Sequence, residues 1–501
     1  MKNFHSLNAI VLLIALAGIA VADVRLPGMF SDSMVLQRDI KLPVWGWAAP
    51  GEAVTVAIPG QKVTATADED GRWRVTLAPL KADGQTHEMT VSGQNTIVIK
   101  DVLVGEVWLC SGQSNMAFGV QNGQDAAAEI VAANYPRLRR YYTRRMPSPA
   151  PLADHKGNWA VCSPQTVGNW TGTGYFFARE LQNRLDVPVG IIEASKGSVP
   201  IQTFLSIQSL KNVPSVRAEM EVYEQQLQER LKALKDSKPD AVDPHAEEGP
   251  PGTLFRQPAA IYNSSIFPIA PYALRGALWY QGEGDVDRPE YYAQALPALI
   301  DDWRQRWEHD FAFGVVQLPN FKRPQREAIN QGWSDFREAQ CRGVQAVKNA
   351  GIVATIDIGE AFNIHPKNKQ EVGKRLALWA LANVYGKTDV IWSGPQYRSM
   401  SLEGEKIRIQ FSHVAGGLQA KGGKLMGFAI AGSDRFFHYA DAQIDRETVT
   451  VWSEKVSGPV AVRYAWAENP VCNLFNDANL PAMPFRTDTW AINEVKAAEG
   501  D

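Results

Sequence analysis

A chain of 501 residues can hold more than one domain and large apolar cores. Hydrophobic residues make up 45% and charged residues 21%, the make-up of an ordinary globular protein and not of a disordered or fibrous one. The formal net charge of −3 gives no field that would attract nucleic acid or an anionic membrane surface, so neither is expected as a partner.

The chain opens with Lys2 and then an apolar run, Ala9 to Ala22, that ends in the small-x-small triplet Ala20-Val21-Ala22. At fewer than about 18 residues the run is short for a membrane span. It predicts a secretory signal peptide over 1–22, cut before Asp23, and a mature chain that is secreted or periplasmic and leaves the membrane after cleavage. Four cysteines follow, Cys110, Cys162, Cys341 and Cys472; they allow three fully paired connectivities, and sequence does not choose among them. With no CxxC or HExxH spacing, no metal or cofactor is expected.

From Val24 the texture is short and alternating. "AVTVAI", "KVTATA", "RWRVTL", "HEMTVS" and "NTIVIK" predict strands with one buried face, with turns at Asp70-Gly71 and Asp83-Gly84; residues 23–103 read as a small β-sandwich. From Val104 strands alternate with helices. "GEVWLCSG", "VPVGIIEAS", "RGALWYQGEGD", "FAFGVVQLP" and "GIVATIDIG" are strands; "GTGYFFARELQNRL", "YYAQALPALIDDWRQRW" and "FREAQCRGVQAVK" are helices. This predicts an α/β domain over 104–387, a parallel sheet with helices on both faces and a ligand site beyond the carboxyl ends of the strands. Val216, Met220, Tyr223, Leu227, Leu231 and Leu234 fall at helical spacing within an insertion over 214–256, which reads as an amphipathic surface helix followed by a loop. Strands return after 388 ("KIRIQF", "LMGFAIAG", "TVTVWS", "VAVRYAW") as a C-terminal β-rich region, 388–501.

The polar turn in "VWLCSGQSNM" (107–116) directly follows an apolar strand. A serine at such a strand-to-helix turn can aim its hydroxyl into a cleft while nearby backbone amides face the same point, the geometry of a nucleophile with an oxyanion donor. Ser114 is the candidate; the alternative is a polar turn with a capping serine, and Ser111, nearer the strand, suits that support role. A serine nucleophile needs a base. Of eight histidines, His365 stands in a loop beyond a strand end, kept out of the following helix by Pro366, where it either serves as the base or simply solvates the loop.

The order of motifs resembles the sialate O-acetylesterase family of SGNH-type hydrolases. It runs from about Leu26 to Trp490 and includes "SMVLQRDIKLPVWGWAAPGEAV", "GEVWLCSGQSNM", "WYQGEGD", "IHPKNKQEVGKRLA" and "RYAWAENPVCNLFN". The resemblance implies an SGNH/flavodoxin-like sheet and hydrolysis of O-acetyl esters on sugars, most of all sialic acids; related esterases act on acetylated plant polysaccharides, so acetylxylan is the second substrate class. It implies Ser114 as nucleophile and His365 as base, with an oxyanion hole from the Ser114 amide, Gly197 and the Gln281 side chain. Ser198 and Val199 stand where the family usually has a second glycine and a threonine, and Asp285 where related enzymes often place an asparagine. An ionised aspartate donates no hydrogen bond, which is why Gln281 is preferred as a donor. Asn363 occupies the position at which the family often has the third triad aspartate; Asp357 and Glu360 are alternatives for that role. A carbohydrate-binding protein with little turnover, built on the same fold, is the competing class.

Overall fold

The structure is a computed structural model that describes residues 23–143, 146–237, 254–325, 332–491 and 495–497. The predicted signal peptide and the loop 238–253 of the insertion lie outside the described residues. Near the start, Leu42–Trp47 pairs with Arg72–Leu77, and Ala53–Ile58 lies between Gln61–Thr66 and His87–Ser92. The two-residue period of these strands sends Val44, Val54, Val56, Trp73, Val75, Met89 and Val91 into a shared core.

The next strand, Thr96–Gly112, belongs to both of the first two regions. Its first half alternates between exposed and buried residues and pairs antiparallel with His87–Ser92. From Leu103 on it is buried throughout and enters the central sheet, parallel to Val189–Ser195 on one side and Gly276–Tyr280 on the other. The boundary expected at 103/104 therefore falls inside one continuous strand. In the central sheet the order is Ala350–Val353, Ala312–Val316, Gly276–Tyr280, Thr96–Gly112, Val189–Ser195, Tyr135–Thr143 and Gly157–Cys162. All neighbours are parallel except the last, an antiparallel edge strand. Trp108 packs against Phe177 and Trp379 from the helices Gly172–Leu185 and Lys369–Asn383. Trp279, in register with Ser111 and so on the opposite face, packs against Trp303 of the helix Pro289–Trp307.

After Thr96–Gly112 the chain builds one side of the sheet (135–195) and then the other (276–353). The reversal lies at the carboxyl end of this central strand, where open α/β sheets leave a crevice between diverging connections. Gly112 makes that end possible. Its φ is +132°, and a Cβ there would lie 2.2 Å from the Tyr280 carbonyl oxygen. Gly112→Ala should therefore cost about 3 kcal/mol or more, read as a lowered urea midpoint; an unchanged midpoint would show that the two strand ends can separate freely.

The insertion contains the helix Arg217–Ser237, which buries Met220 and Leu227; Val216, just before it, is buried too. The C-terminal region forms an antiparallel sheet of Gln396–Glu403, Lys406–Ser412, Thr448–Trp452 and Asp441–Asp445, beside a second sheet centred on Phe428–Ala431 and Ala461–Tyr464. Ile407, Ile409, Phe411, Phe428, Tyr464 and Phe485 form its separate core. All four cysteines are free thiols, with Cys110 and Cys162 buried.

Candidate active site

Ser114 begins a one-turn helix, Ser114–Ala117, directly after the central strand. It is half-buried, and its hydroxyl makes no hydrogen bond among the described residues. Ser111 is different: it is fully buried and donates to the Ala194 carbonyl at 2.6 Å. One serine ties two strands together while the hydroxyl of the other is uncommitted. As the first residue of a helix, Ser114 has a backbone N–H with no intrahelical acceptor. The loop after Val189–Ser195 runs past it, so close that a Cβ on Gly197 would lie 3.4 Å from Ser114 Cβ. The N–H groups of Ser114 and Gly197 find no acceptor among the described residues.

Ser198, the departure from the double glycine, has a φ of +61°. The loop keeps the left-handed turn that glycine suits and holds it with a hydrogen bond from Arg256 to the Ser198 carbonyl, 2.6 Å. Ser198→Gly should stabilise the protein by about 1 kcal/mol, seen as a raised melting temperature; a fall would mean that the serine side chain contributes more than its backbone strain costs.

The third turn, 281–285, follows Gly276–Tyr280. Gln113 Oε1 accepts the N–H groups of Gly282 (3.3 Å) and Gly284 (3.2 Å), which binds this turn to the nucleophile turn. Gln281 is buried, and its amide donates to Asp285 (2.7 Å) and more weakly to the Val199 carbonyl (3.4 Å). Asp285 also accepts the Ile201 N–H (2.7 Å) and Arg288 (2.9 Å). The aspartate is thus an acceptor hub that braces the 196–201 loop, and both hydrogens of the Gln281 amide are committed to that brace.

His365 lies in the loop before Lys369–Asn383, half-buried, with its ring stacked on Phe118 at 6.2 Å between centroids. Burial, then the nearby Lys369 charge, hold its imidazole below the ordinary histidine range. None of the three candidate orienting residues hydrogen-bonds the ring. Asn363 clamps the His365 backbone, accepting its N–H (3.0 Å) and donating to its carbonyl (2.9 Å). Glu360 accepts from Asn363 (3.0 Å) and from the Lys367 N–H (2.7 Å). Asp357 is held in a two-pronged pair with Arg375 at 2.7 and 2.8 Å.

Three residues absent from the sequence-based set join the turns. Asn115, fully buried, donates to Glu283 and to the Ile364 carbonyl (2.9 Å), and its Oδ1 accepts from Lys369 Nζ at 2.6 Å. Lys369 is itself fully buried, its ammonium 5.0 Å from the Phe118 ring and 5.1 Å from the Tyr280 ring. One signal for it was present: with Val372, Gly373 and Leu376 it forms the buried stripe of its helix, a place where lysine is rare. Among the described residues, no group of three or more histidine, cysteine, aspartate or glutamate side chains is placed to hold a metal ion.

Residues 254–382 match the family described as carbohydrate esterase, sialic acid-specific acetylesterase. The sialate O-acetylesterase of Rattus norvegicus is 30% identical over 525 residues, covering 92% of this chain and 94% of that protein. This chain belongs to that esterase family. The Homo sapiens sialate O-acetylesterase is 28% identical over 92% of each chain. A crystal structure of a carbohydrate acetylesterase from Xanthomonas citri, 35% identical, superposes with a TM-score of 0.82 over 93% of this chain and all of its own. The esterase therefore shares its architecture over 93% of its length with a carbohydrate acetylesterase. No helix among its described residues is long and apolar enough to cross a membrane.

Proposed function

We propose that this esterase is secreted or periplasmic and removes O-acetyl groups from sugars, most readily from sialic acids, by a Ser114–His365 mechanism through an acetyl-enzyme. The observation that carries the mechanism is the contrast between two serines on one turn: Ser111 is locked into the sheet, whereas the half-buried Ser114 has an uncommitted hydroxyl, and its own N–H and that of the adjacent Gly197 have no acceptor among the described residues. The substrate class follows from the relatives, which are sialate O-acetylesterases.

In the first half-reaction the neutral His365 imidazole takes the Ser114 hydroxyl proton as Oγ bonds to the acetyl carbonyl carbon. Negative charge develops on the carbonyl oxygen, which the N–H groups of Ser114 and Gly197 receive. Collapse breaks the bond from the acetyl carbon to the sugar oxygen, and the imidazolium returns its proton to that oxygen, freeing a sugar hydroxyl. Water then adds to the acetyl-enzyme with His365 again as base; the proton returns to Ser114 Oγ as acetic acid departs and ionises. In this scheme Gln281 braces Asp285 and the 196–201 loop. Acetate release from a panel of O-acetylated sialic acids and acetylated xylo-oligosaccharides tests the reading. The highest kcat/KM is expected on the sialic acids; faster turnover of the xylo-oligosaccharides would assign the enzyme to acetylxylan, and no release from either would leave a binding protein.

A further inference from the structure

Three elements must stay in register for Ser114 and His365 to act together: the nucleophile turn, the 281–285 turn and the loop before Lys369–Asn383. Asn115 touches all three, through Glu283, the Ile364 carbonyl and Lys369. Lys369 is unusual in this arrangement. A lysine with no exposed surface, whose ammonium contacts an amide oxygen and two aromatic rings, has lost most of its hydration. The ring beside it, Phe118, is the ring on which His365 stacks.

We propose that Lys369 is a positioning residue of the hydrolytic site, locking the Ser114 turn to the His365 loop through Asn115 and holding its charge over the Phe118 ring on which His365 stacks. The proposal rests on the Ser114–His365 reading. The other charged groups on the elements packed here have their own partners: Glu360 of the loop bonds Asn363 and the Lys367 N–H, Glu283 of the 281–285 turn bonds Asn115, and Asp357 at the end of the sheet pairs with Arg375 of the helix. Lys369 acts on His365, and in the direction that disfavours imidazolium. Burial pushes the Lys369 amine itself down to about 7, opposed by Glu283 and Glu360. Below that pH, where His365 titrates, Lys369 carries its charge. The Glu283 carboxylate has one oxygen, Oε2, out of solvent without a partner, and burial raises its pKa, opposed by the Asn115 hydrogen bond and the Lys369 charge.

A structural lysine would affect stability alone; the proposed role also moves the pH dependence. In Lys369→Met, the acid limb of kcat/KM should move to higher pH by about half a unit or more, with plateau kcat reduced about tenfold and KM nearly unchanged. Lys369→Gln keeps a donor toward Asn115 without the charge; it should fold better and show the same shift of the limb. A limb that stays in place in a folded Gln or Met variant overturns the proposal. The wild-type protein gives a test that needs no Lys369 variant: the His365 ring resonance, identified by its loss in His365→Ala, should titrate below the ordinary histidine value. Titration at or above that value also overturns it. Failure of the underlying reading looks different, because Ser114→Ala or His365→Ala would then retain activity whatever Lys369 does.

Discussion

Ser114→Ala should lower kcat by about 10⁴-fold or more and leave the fold intact. The loss follows from the chemistry: no covalent acetyl-enzyme can form without the Oγ. The intact fold follows from the local structure, since the Ser114 hydroxyl makes no hydrogen bond among the described residues and its side chain is only half-buried. Ser111→Ala gives the opposite pattern. It removes a buried hydrogen bond to Ala194, which should cost about 1 kcal/mol of stability, with turnover changed only a few-fold. Steady-state acetate release and urea denaturation on both variants would separate the two roles. Near-normal turnover in a folded Ser114→Ala protein would remove the nucleophile assignment, and a selective loss in Ser111→Ala would transfer it.

The difference between these serines shows what the sequence could and could not reveal. The strand before them was legible because continuous burial leaves a continuous apolar run. Its opening turn was legible because small and polar residues cluster where a strand ends. The same pattern did not show that "NTIVIK" and "GEVWLCSG" form one strand, because Asp101 and Gly105 break the run; the strand passes Asp101 through a shift of register against His87–Ser92, and Gly105 stays paired with Gln37. Tyr135–Thr143 was also unread: three arginines obscure the buried Leu138 and Tyr141. The brace made by Asn115, Glu283 and Lys369 lay further from view. Its contacts join positions 168 and 254 residues apart, and two of its members are types that a sequence reading assigns to the surface. Asn363 was legible as a position and not as a function. It occurs two residues before the histidine, yet its amide is bonded to the main chain of His365.

That last point bears on His365→Ala, which should reduce kcat by about 10⁴-fold with little change in stability, and on the pH profile of the unmodified enzyme. In a Ser–His–Asp triad the carboxylate stabilises imidazolium and raises the pKa of the base. No carboxylate among the described residues bonds this imidazole, and both influences on it, burial and Lys369, disfavour the protonated form. Activity requires the neutral ring, so kcat/KM must rise with pH as His365 loses its proton. With a lowered pKa, that rise is centred below the ordinary histidine value of about 6.5. The same lack of a carboxylate leaves the transient imidazolium less stabilised in the transition state, so plateau kcat should be modest for a serine esterase. A pH series of kcat/KM on an acetylated sugar would check this. A midpoint above about 6.5 would mean that a carboxylate reaches the imidazole in the working enzyme. Loss of the acid limb in a still-active His365→Ala protein would confirm that the limb belongs to this histidine while showing that another group can accept the Ser114 proton.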